Sequence, residues 1–161
     1  MSKTIDPDLQ AVLPGLQYQD CHSVVLTDPA FNAAGVVALL PTLTPAWAQS
    51  LLALRNRLTA PLGLARVTMR QFPTLAVAPH QALLGLDDRH LDFRILLSST
   101  PLPDQTAHRL TLRTLIRFHN AWGRAYLTAV LPFHRLILRR LLQDLARRDT
   151  AFKAERRCAG M

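Results

Sequence analysis

The chain has 161 residues, 49% of them hydrophobic, and a formal net charge of +8. That length and apolar content suit one domain with a buried core. No apolar run is long enough to span a membrane, and the N-terminus lacks the basic-then-apolar pattern of a secretory signal. We therefore expect a cytoplasmic protein without a transmembrane segment. The positive charge is almost all arginine and concentrates near the C-terminus, which favours a generic basic surface over a specific nucleic-acid site.

The first third of the chain predicts an arm, a strand and two helices. Residues 1–17 are polar and proline-marked, and the β-branched pair Val24-Val25 predicts a strand from Tyr18 to Thr27. Asp28-Pro29 is a helix-start signal, and Pro41 would end that short helix after Leu40. Thr44-Pro45 repeats the signal ahead of an amphipathic helix that closes near Pro61.

The remainder predicts a run of strands and then one long helix. Asn120–Gly123 is typical of a hairpin turn, Pro132 would open the helix, and residues 150–161 would form a flexible tail. The strands are predicted at Val67–Arg70, Thr74–Ala78, Gln81–Leu86, Arg89–Ser99, Arg109–His119 and Arg124–Val130.

This order of elements predicts an α+β domain over residues 18–149. A curved antiparallel sheet would carry two short helices after its first strand, with the long C-terminal helix packed across it. A pocket could then lie between the sheet and that helix.

The densest mixture of charge and apolar residues runs from Gly85 to Arg94. Read as a strand, it places Asp88, His90 and Asp92 on one face, so that two carboxylates flank one imidazole. Such neighbours favour the charged imidazole, and the three residues are candidates for acid–base catalysis. The favoured alternative is a structural face on which Asp92 pairs with arginines, the candidates being Arg94, Arg113 and Arg117.

A second dense block surrounds the predicted hairpin at Asn120–Gly123. An arginine beside two aromatic side chains could bind an anionic or planar ligand, whereas turn chemistry alone would explain the same residues. His119 and His134 flank the last predicted strand, and each could line a pocket or simply be a hydrogen-bonded core histidine. The candidate ligand-binding residues are Phe93, Arg113, Phe118, His119, Trp122, Arg124, Tyr126, Phe133, His134 and Ile137.

Several blocks in order resemble the bacterial family catalogued as domain of unknown function 2867 (DUF2867), over roughly residues 18–148 of the sequence. The blocks are Leu54–Leu58, Leu62–Leu64, Gly85–Arg94, Phe118–Asn120, Gly123–Tyr126 and Pro132–Arg135. The order of elements is similar to that of the helix-grip superfamily (START-like or Bet v 1-like, SRPBCC). That likeness implies a hydrophobic ligand held between the sheet and the C-terminal helix, although a fold does not fix a function.

The expected function is therefore binding of an apolar or amphipathic small molecule. Its apolar lining would come from Leu112, Ile116, Phe118, Phe93, Ile95, Phe133, Ile137 and Leu141. An alternative is an enzyme, cyclase-like or hydrolase-like, that uses His90 and Asp92 in the same cavity. A nucleic-acid or anionic membrane surface binder is a third and weaker reading of the basic C-terminal helix. No cofactor and no metal are predicted because the usual phosphate-loop, zinc and nucleophile motifs are missing from the sequence, and a homodimer is possible.

Overall fold

The computed structural model describes residues 9–62, 68, 73–103 and 106–159. The predicted α+β class is confirmed: a five-stranded antiparallel sheet is combined with helices, the last of them long. The elements in chain order are α1 Leu9–Val12, β1 Tyr18–Leu26, α2 Ala33–Leu43, α3 Ala46–Thr59, β2 Thr74–Ala78, β3 Gln81–Asp87, β4 Leu91–Pro101, β5 His108–Phe118 and α4 Ala121–Ala159. Short 3₁₀ turns at Pro29–Phe31 and Ala60–Leu62 connect them.

The strands lie in the order β1-β5-β4-β3-β2, and every neighbouring pair is antiparallel. Successive strands from β2 to β5 pair as hairpins, whereas β1 pairs with β5. The alternation of side chains gives the sheet two distinct sides. The helix-facing side carries Phe93, Ile95 and Leu97 of β4, and the outer side carries Asp92 and Arg94. The predicted division of this strand holds for Asp92 and Arg94 on one face and for Phe93, Ile95 and Leu97 on the other, whereas Asp88 and His90 precede the strand.

Two apolar clusters fill the helix-facing side. The larger one joins sheet residues such as Leu97 and Leu110 to Val36 of α2 and to Leu141 and Leu145 of α4. The smaller one lies under the N-terminal part of α4, around Leu91, Ile116 and Leu127. Asp149 connects the C-terminal part of α4 to the residues that follow β1. Its carboxylate accepts hydrogen bonds from the backbone N–H groups of Thr27 and Asp28 and from the Thr27 hydroxyl.

The first predicted helix is displaced by a few residues. Asp28-Pro29 opens only the 3₁₀ turn, with the Asp28 carboxylate accepting from the N–H of Ala30. The helix proper, α2, starts after Asn32, whose side chain accepts from the N–H of Gly35 at 2.9 Å. Pro41 lies inside α2 and does not end it, since a proline near a helix C-terminus removes only one donor.

The hairpin at Asn120–Gly123 and the strand Arg124–Val130 were predicted wrongly. Asn120 is a helix cap that accepts a hydrogen bond from the N–H of Gly123 at 3.0 Å, and α4 begins immediately afterwards. The helix passes through Pro132, which costs it one backbone hydrogen bond, and continues to Ala159 within the predicted tail. Burial of the face around Leu127 and Leu138 offsets that loss.

The predicted strand Val67–Arg70 lies outside the described residues except for Thr68. Among the helices that the structure describes, no single one is long and apolar enough to cross a membrane; α2 and the first part of α3 would reach that length together, but they are bent by 79°.

Candidate functional site

Asp88 and His90 do not lie on a strand, contrary to the prediction. They occupy the turn between β3 and β4, where the N–H of Asp88 donates to the carbonyl of Leu91. The Asn120 side chain caps α4 with its oxygen and lies 2.9 Å from His90 Nδ1 with its nitrogen. A side chain at Gly123 would collide with the carbonyl oxygen of His90, so glycine there lets the turn contact the helix start.

Asp92 lies on the outer side of the sheet with a side chain that is 3% exposed. One carboxylate oxygen accepts from Nε and Nη2 of Arg117, and the other accepts from Nε2 of His119 at 2.9 Å. Burial by itself raises the pKa of Asp92, but the hydrogen bonds from His119 and Arg117 outweigh it and hold that pKa below its ordinary value. Arg117 also donates to the carbonyl of Pro14, which ties the N-terminal segment to this network.

The ion pair that the structural alternative expected for Asp92 is present, with Arg117 as the partner. Arg94 pairs with Asp87 at 2.6 Å on the neighbouring strand. Asp88, His90 and Asp92 do not share one face, because two of them lie in the turn and the third on the outer side of β4. Their catalytic role stays a prediction, while the geometry gives Asp92 the structural task of joining β4, β5 and the N-terminal segment.

A different group of polar side chains lies beneath α4, on the helix-facing side of β1 and β5. Strand register places Asp20 beside Thr114 and His22 beside Leu112. His134 reaches down from α4 and shares a 2.9 Å hydrogen bond with the Thr114 hydroxyl. Among the described residues, Asp20 Oδ1 and His22 Nε2 are the buried side-chain polar atoms that have no hydrogen-bond partner in the protein. Buried polar atoms of this kind are rare and need an explanation.

The His134 ring also lies 5.8 Å from that of Phe93 in an edge-on arrangement. Burial lowers the pKa of His134, the nearby His22 and Arg135 lower it further, and Asp20 opposes them. The imidazole is consequently neutral at physiological pH, which leaves it able both to donate and to accept a hydrogen bond.

An open groove of about 430 Å³ runs along the N-terminal half of α4 beside this polar group. Apolar side chains form most of its wall, two arginines contribute to it, and no acidic residue occurs among the described residues that line it. The lining residues are Tyr18, Phe118, Arg124, Leu127, Thr128, Leu131, Pro132 and Arg135.

Both groove arginines are held by aromatic neighbours. The Arg124 guanidinium lies 5.7 Å from the centre of the Phe118 ring, within the range of a cation–π contact. Arg135 Nη2 donates to the Tyr18 hydroxyl at 3.3 Å, and that hydroxyl donates to Asp20 Oδ2 at 3.2 Å. Burial raises the pKa of Tyr18, so the phenol keeps its proton at neutral pH. Tyr18 thus connects the groove to the buried group of Asp20, His22 and His134.

The predicted ligand-binding residues are divided among three surroundings. Phe118 and Arg124 line the groove, and Phe93, Tyr126 and His134 pack behind it, in or beside the smaller apolar cluster. Arg113 and His119 are turned elsewhere: Arg113 belongs to the outer side, and His119 binds Asp92. Trp122 and Phe133 are exposed, and Ile137 is half-buried on α4. The predicted apolar lining also included Leu112 and Leu141, which are buried in the larger cluster away from the groove.

Sequence reasoning missed Tyr18, Asp20, His22 and Arg135. A signal was present in the strand pattern, because residues 18, 20 and 22 alternate onto the same side as Val24 and Leu26. Polar residues on the buried side of a strand are unusual enough to mark a candidate site. The pattern could not show that this side meets α4, since the helix start was placed eleven residues too late.

Among the described residues, no group of three or more histidine, cysteine or acidic side chains is arranged to hold a metal ion. Searches of curated proteins and of solved structures gave no match. The family model described as "Protein of unknown function (DUF2867)" matches residues 12–141, which include the whole sheet, the groove and the buried polar group. The chain therefore belongs to the DUF2867 family.

Proposed function

We propose that this protein binds an amphipathic small molecule that carries an anionic group, in the groove beside the N-terminal half of α4. The observation that carries the proposal is the groove's lining, in which Phe118, Leu127 and Leu131 provide apolar surface while Arg124 and Arg135 provide positive charge. Pockets that bind small molecules combine these features, a mainly apolar wall with a few placed polar groups.

The two arginines indicate an anionic ligand head. Guanidinium groups match carboxylate and phosphate oxygens, and such charge-assisted hydrogen bonds are stronger than neutral ones. Among the described residues that line the groove, none carries an acidic side chain that would compete for them. The contacts with Phe118 and Tyr18 restrict the guanidinium groups before any ligand arrives, which reduces the entropy cost of binding.

The order of the elements supports the proposed relation to the helix-grip superfamily. A long C-terminal helix lies across an antiparallel sheet whose first strand pairs with its last. In this chain the larger apolar cluster fills the space under residues 138–145 of α4, which leaves the groove at the other end as the place for a ligand.

Acid–base catalysis on the bound ligand is a second candidate. It is favoured by the unpartnered Asp20 Oδ1 and His22 Nε2, which lie behind the groove and are linked to it through Tyr18. Native mass spectrometry, combined with chromatography of the released ligand, separates the two functions, because a ligand recovered with unchanged mass and unchanged retention time after prolonged incubation supports binding alone.

The binding test is a fluorescence titration with dansyl-aminoundecanoic acid and with its methyl ester. We expect the acid to bind about tenfold more tightly than the ester, the equivalent of about 1.4 kcal/mol. Arg124→Gln and Arg135→Gln should each weaken acid binding by about fivefold or more and leave ester binding nearly unchanged.

Two further variants complete the design. Arg139→Gln removes an exposed arginine of the same helix that does not line the groove, and it should bind like the unmodified protein. Leu131→Trp fills the groove and should weaken both probes. The proposal is wrong if neither probe binds, or if acid and ester bind equally and respond equally to the arginine variants.

A further inference from the structure

The solvent-facing side of α4 carries one apolar stripe along its first four turns. The residues that project directly away from the sheet are Trp122, Ala125, Ala129, Phe133 and Leu136. Their spacing of three or four residues places them on one stripe about 21 Å long. We name it the outer stripe. Trp122 is 70% exposed, Phe133 49% and Leu136 45%.

The opposite side of the same helix packs on the sheet through Leu127 and Leu138. A helix that is apolar on both sides has more apolar surface than one core can cover. Isolated exposed apolar residues are ordinary, but a continuous stripe that includes a tryptophan is typical of a docking surface.

The charge beside the outer stripe indicates what docks there. Between Ala121 and Gln143 the chain has no acidic residue, and the exposed Arg139 and Arg140 follow Leu136 within about one turn of the helix. Arg124 and Arg135 lie in the groove on the flank of the helix. The whole chain carries a formal net charge of +8. Apolar side chains that include tryptophan, flanked by arginine, are the composition of helices that lie in the interface of an anionic membrane.

A second copy of the chain fits this surface less well. In an antiparallel pair centred on Ala129, Arg124 of one copy would lie beside Arg135 of the other. A parallel pair would set Trp122 against Trp122 and leave the alanines apart. In both arrangements two chains with a formal charge of +8 would approach each other.

We propose that the outer stripe docks on an anionic phospholipid surface, with Trp122, Phe133 and Leu136 entering the interface and with Arg139 and Arg140 facing the lipid phosphates. The groove opens on the flank of the same helix, at Arg124, Leu131 and Arg135. Docking would therefore bring the groove mouth to the membrane surface. The inference rests on the exposed stripe and its charge, and it does not require the proposed ligand function.

The test is flotation of the full chain with vesicles of phosphatidylcholine alone or with about one third phosphatidylglycerol. We expect about tenfold or greater partition into the anionic vesicles, weakening as salt rises. In a Trp47→Phe background the remaining tryptophan, Trp122, should shift its emission to the blue when these vesicles are added. Trp122→Glu should reduce partition by about tenfold, and Arg139→Glu should reduce it and its salt dependence.

Trp47→Glu is the matched control, since Trp47 is also exposed, at 40%, but lies on α3. Circular dichroism of each variant verifies the fold. The proposal is overturned if neither vesicle binds the protein, if both bind it equally, or if Trp47→Glu reduces binding as much as Trp122→Glu. It is also overturned if sedimentation shows a dimer that Trp122→Glu dissociates, which would make the stripe a protein interface. These variants leave the groove residues intact, so failure here is distinguishable from failure of the ligand proposal.

Discussion

The two sides of the sheet each carry an aspartate near histidine, but the two groups are built differently. On the outer side both oxygens of Asp92 are occupied, one by His119 and one by Arg117. On the helix-facing side, one carboxylate oxygen of Asp20 has no hydrogen-bond partner among the described residues. The Nε2 atom of the neighbouring His22 also lacks one. The first group is closed and joins strands, whereas the second has hydrogen-bonding capacity left and lies behind a groove.

This difference shows that a stretch of sequence rich in charged residues and histidine does not by itself locate a functional site. The stretch from Gly85 to Arg94 attracts attention because charge and imidazole are close in sequence, yet it forms the turn between β3 and β4 and ion pairs on the outer side of the sheet. The groove and its polar neighbours are assembled from β1, β5 and α4, which are distant in sequence. Ion-pair networks and catalytic groups draw on the same residue types, so only geometry separates them.

The largest expected effect is on stability. Asp92→Asn should lower the free energy of unfolding by about 2–3 kcal/mol, because it removes a buried charge partner of Arg117 and His119. Asp20→Asn should cost less than about 1 kcal/mol, since an amide can still accept from Tyr18 and no buried carboxylate remains to be solvated. Urea unfolding at neutral pH measures both, and equal losses would contradict the distinction between the two groups.

A smaller effect concerns the dependence of stability on pH. Burial lowers the pKa of folded His134 below its unfolded value near 6.5, so stability should fall as pH drops from about 6.5 through the folded pKa. The pKa of Asp92 is also lowered, so its contribution is present above about pH 4 and is lost as pH falls through its folded pKa.

The two pH ranges can be separated by variants. His134→Gln keeps a partner for Thr114 and should flatten the dependence of unfolding midpoint on pH between about 7 and 5, while it leaves the loss below about pH 4. Asp92→Asn should do the reverse. If His134→Gln left the dependence of the unfolding midpoint on pH unchanged above pH 5, the buried neutral state assigned to His134 would be wrong.

Much of the fold could be predicted because local patterns agreed with the tertiary structure. Period-two alternation placed β5 and the part of β4 from Leu91 onward with their two faces, but it extended β4 into the turn that contains His90. Prolines bounded β2 and β3. The start of α4 failed because Gly123, Thr128 and Val130 have weak helix propensity and Pro132 resembles a first helical residue. Capping by Asn120 and burial of Leu127 against the sheet outweigh these preferences.

The candidate site could be predicted only in part for the same reason. Phe118 was predicted as apolar lining from the alternation of its strand, and Arg124 as a cation beside Trp122 and Tyr126; Phe118 and Arg124 do line the groove. Arg135 looked like one of many surface arginines, and its role depends on the 3.3 Å hydrogen bond to Tyr18 across 117 residues of sequence. Contacts between residues so far apart in sequence follow from the packing of α4 on β1, which no local sequence pattern specifies.

The most direct test of where the site lies is a nitrogen-15 NMR titration of the protein with dansyl-aminoundecanoic acid. If the groove is the binding site, the amide shifts should concentrate at Tyr18, Phe118, Leu127 and Leu131, with smaller changes reaching Asp20 and His22. Asp92, Arg117 and the turn at Asp88–His90 should remain unchanged. Amide chemical-shift changes that concentrate at that turn, with none at the groove residues, would contradict this account. They would place the binding site at the charged motif from Gly85 to Arg94.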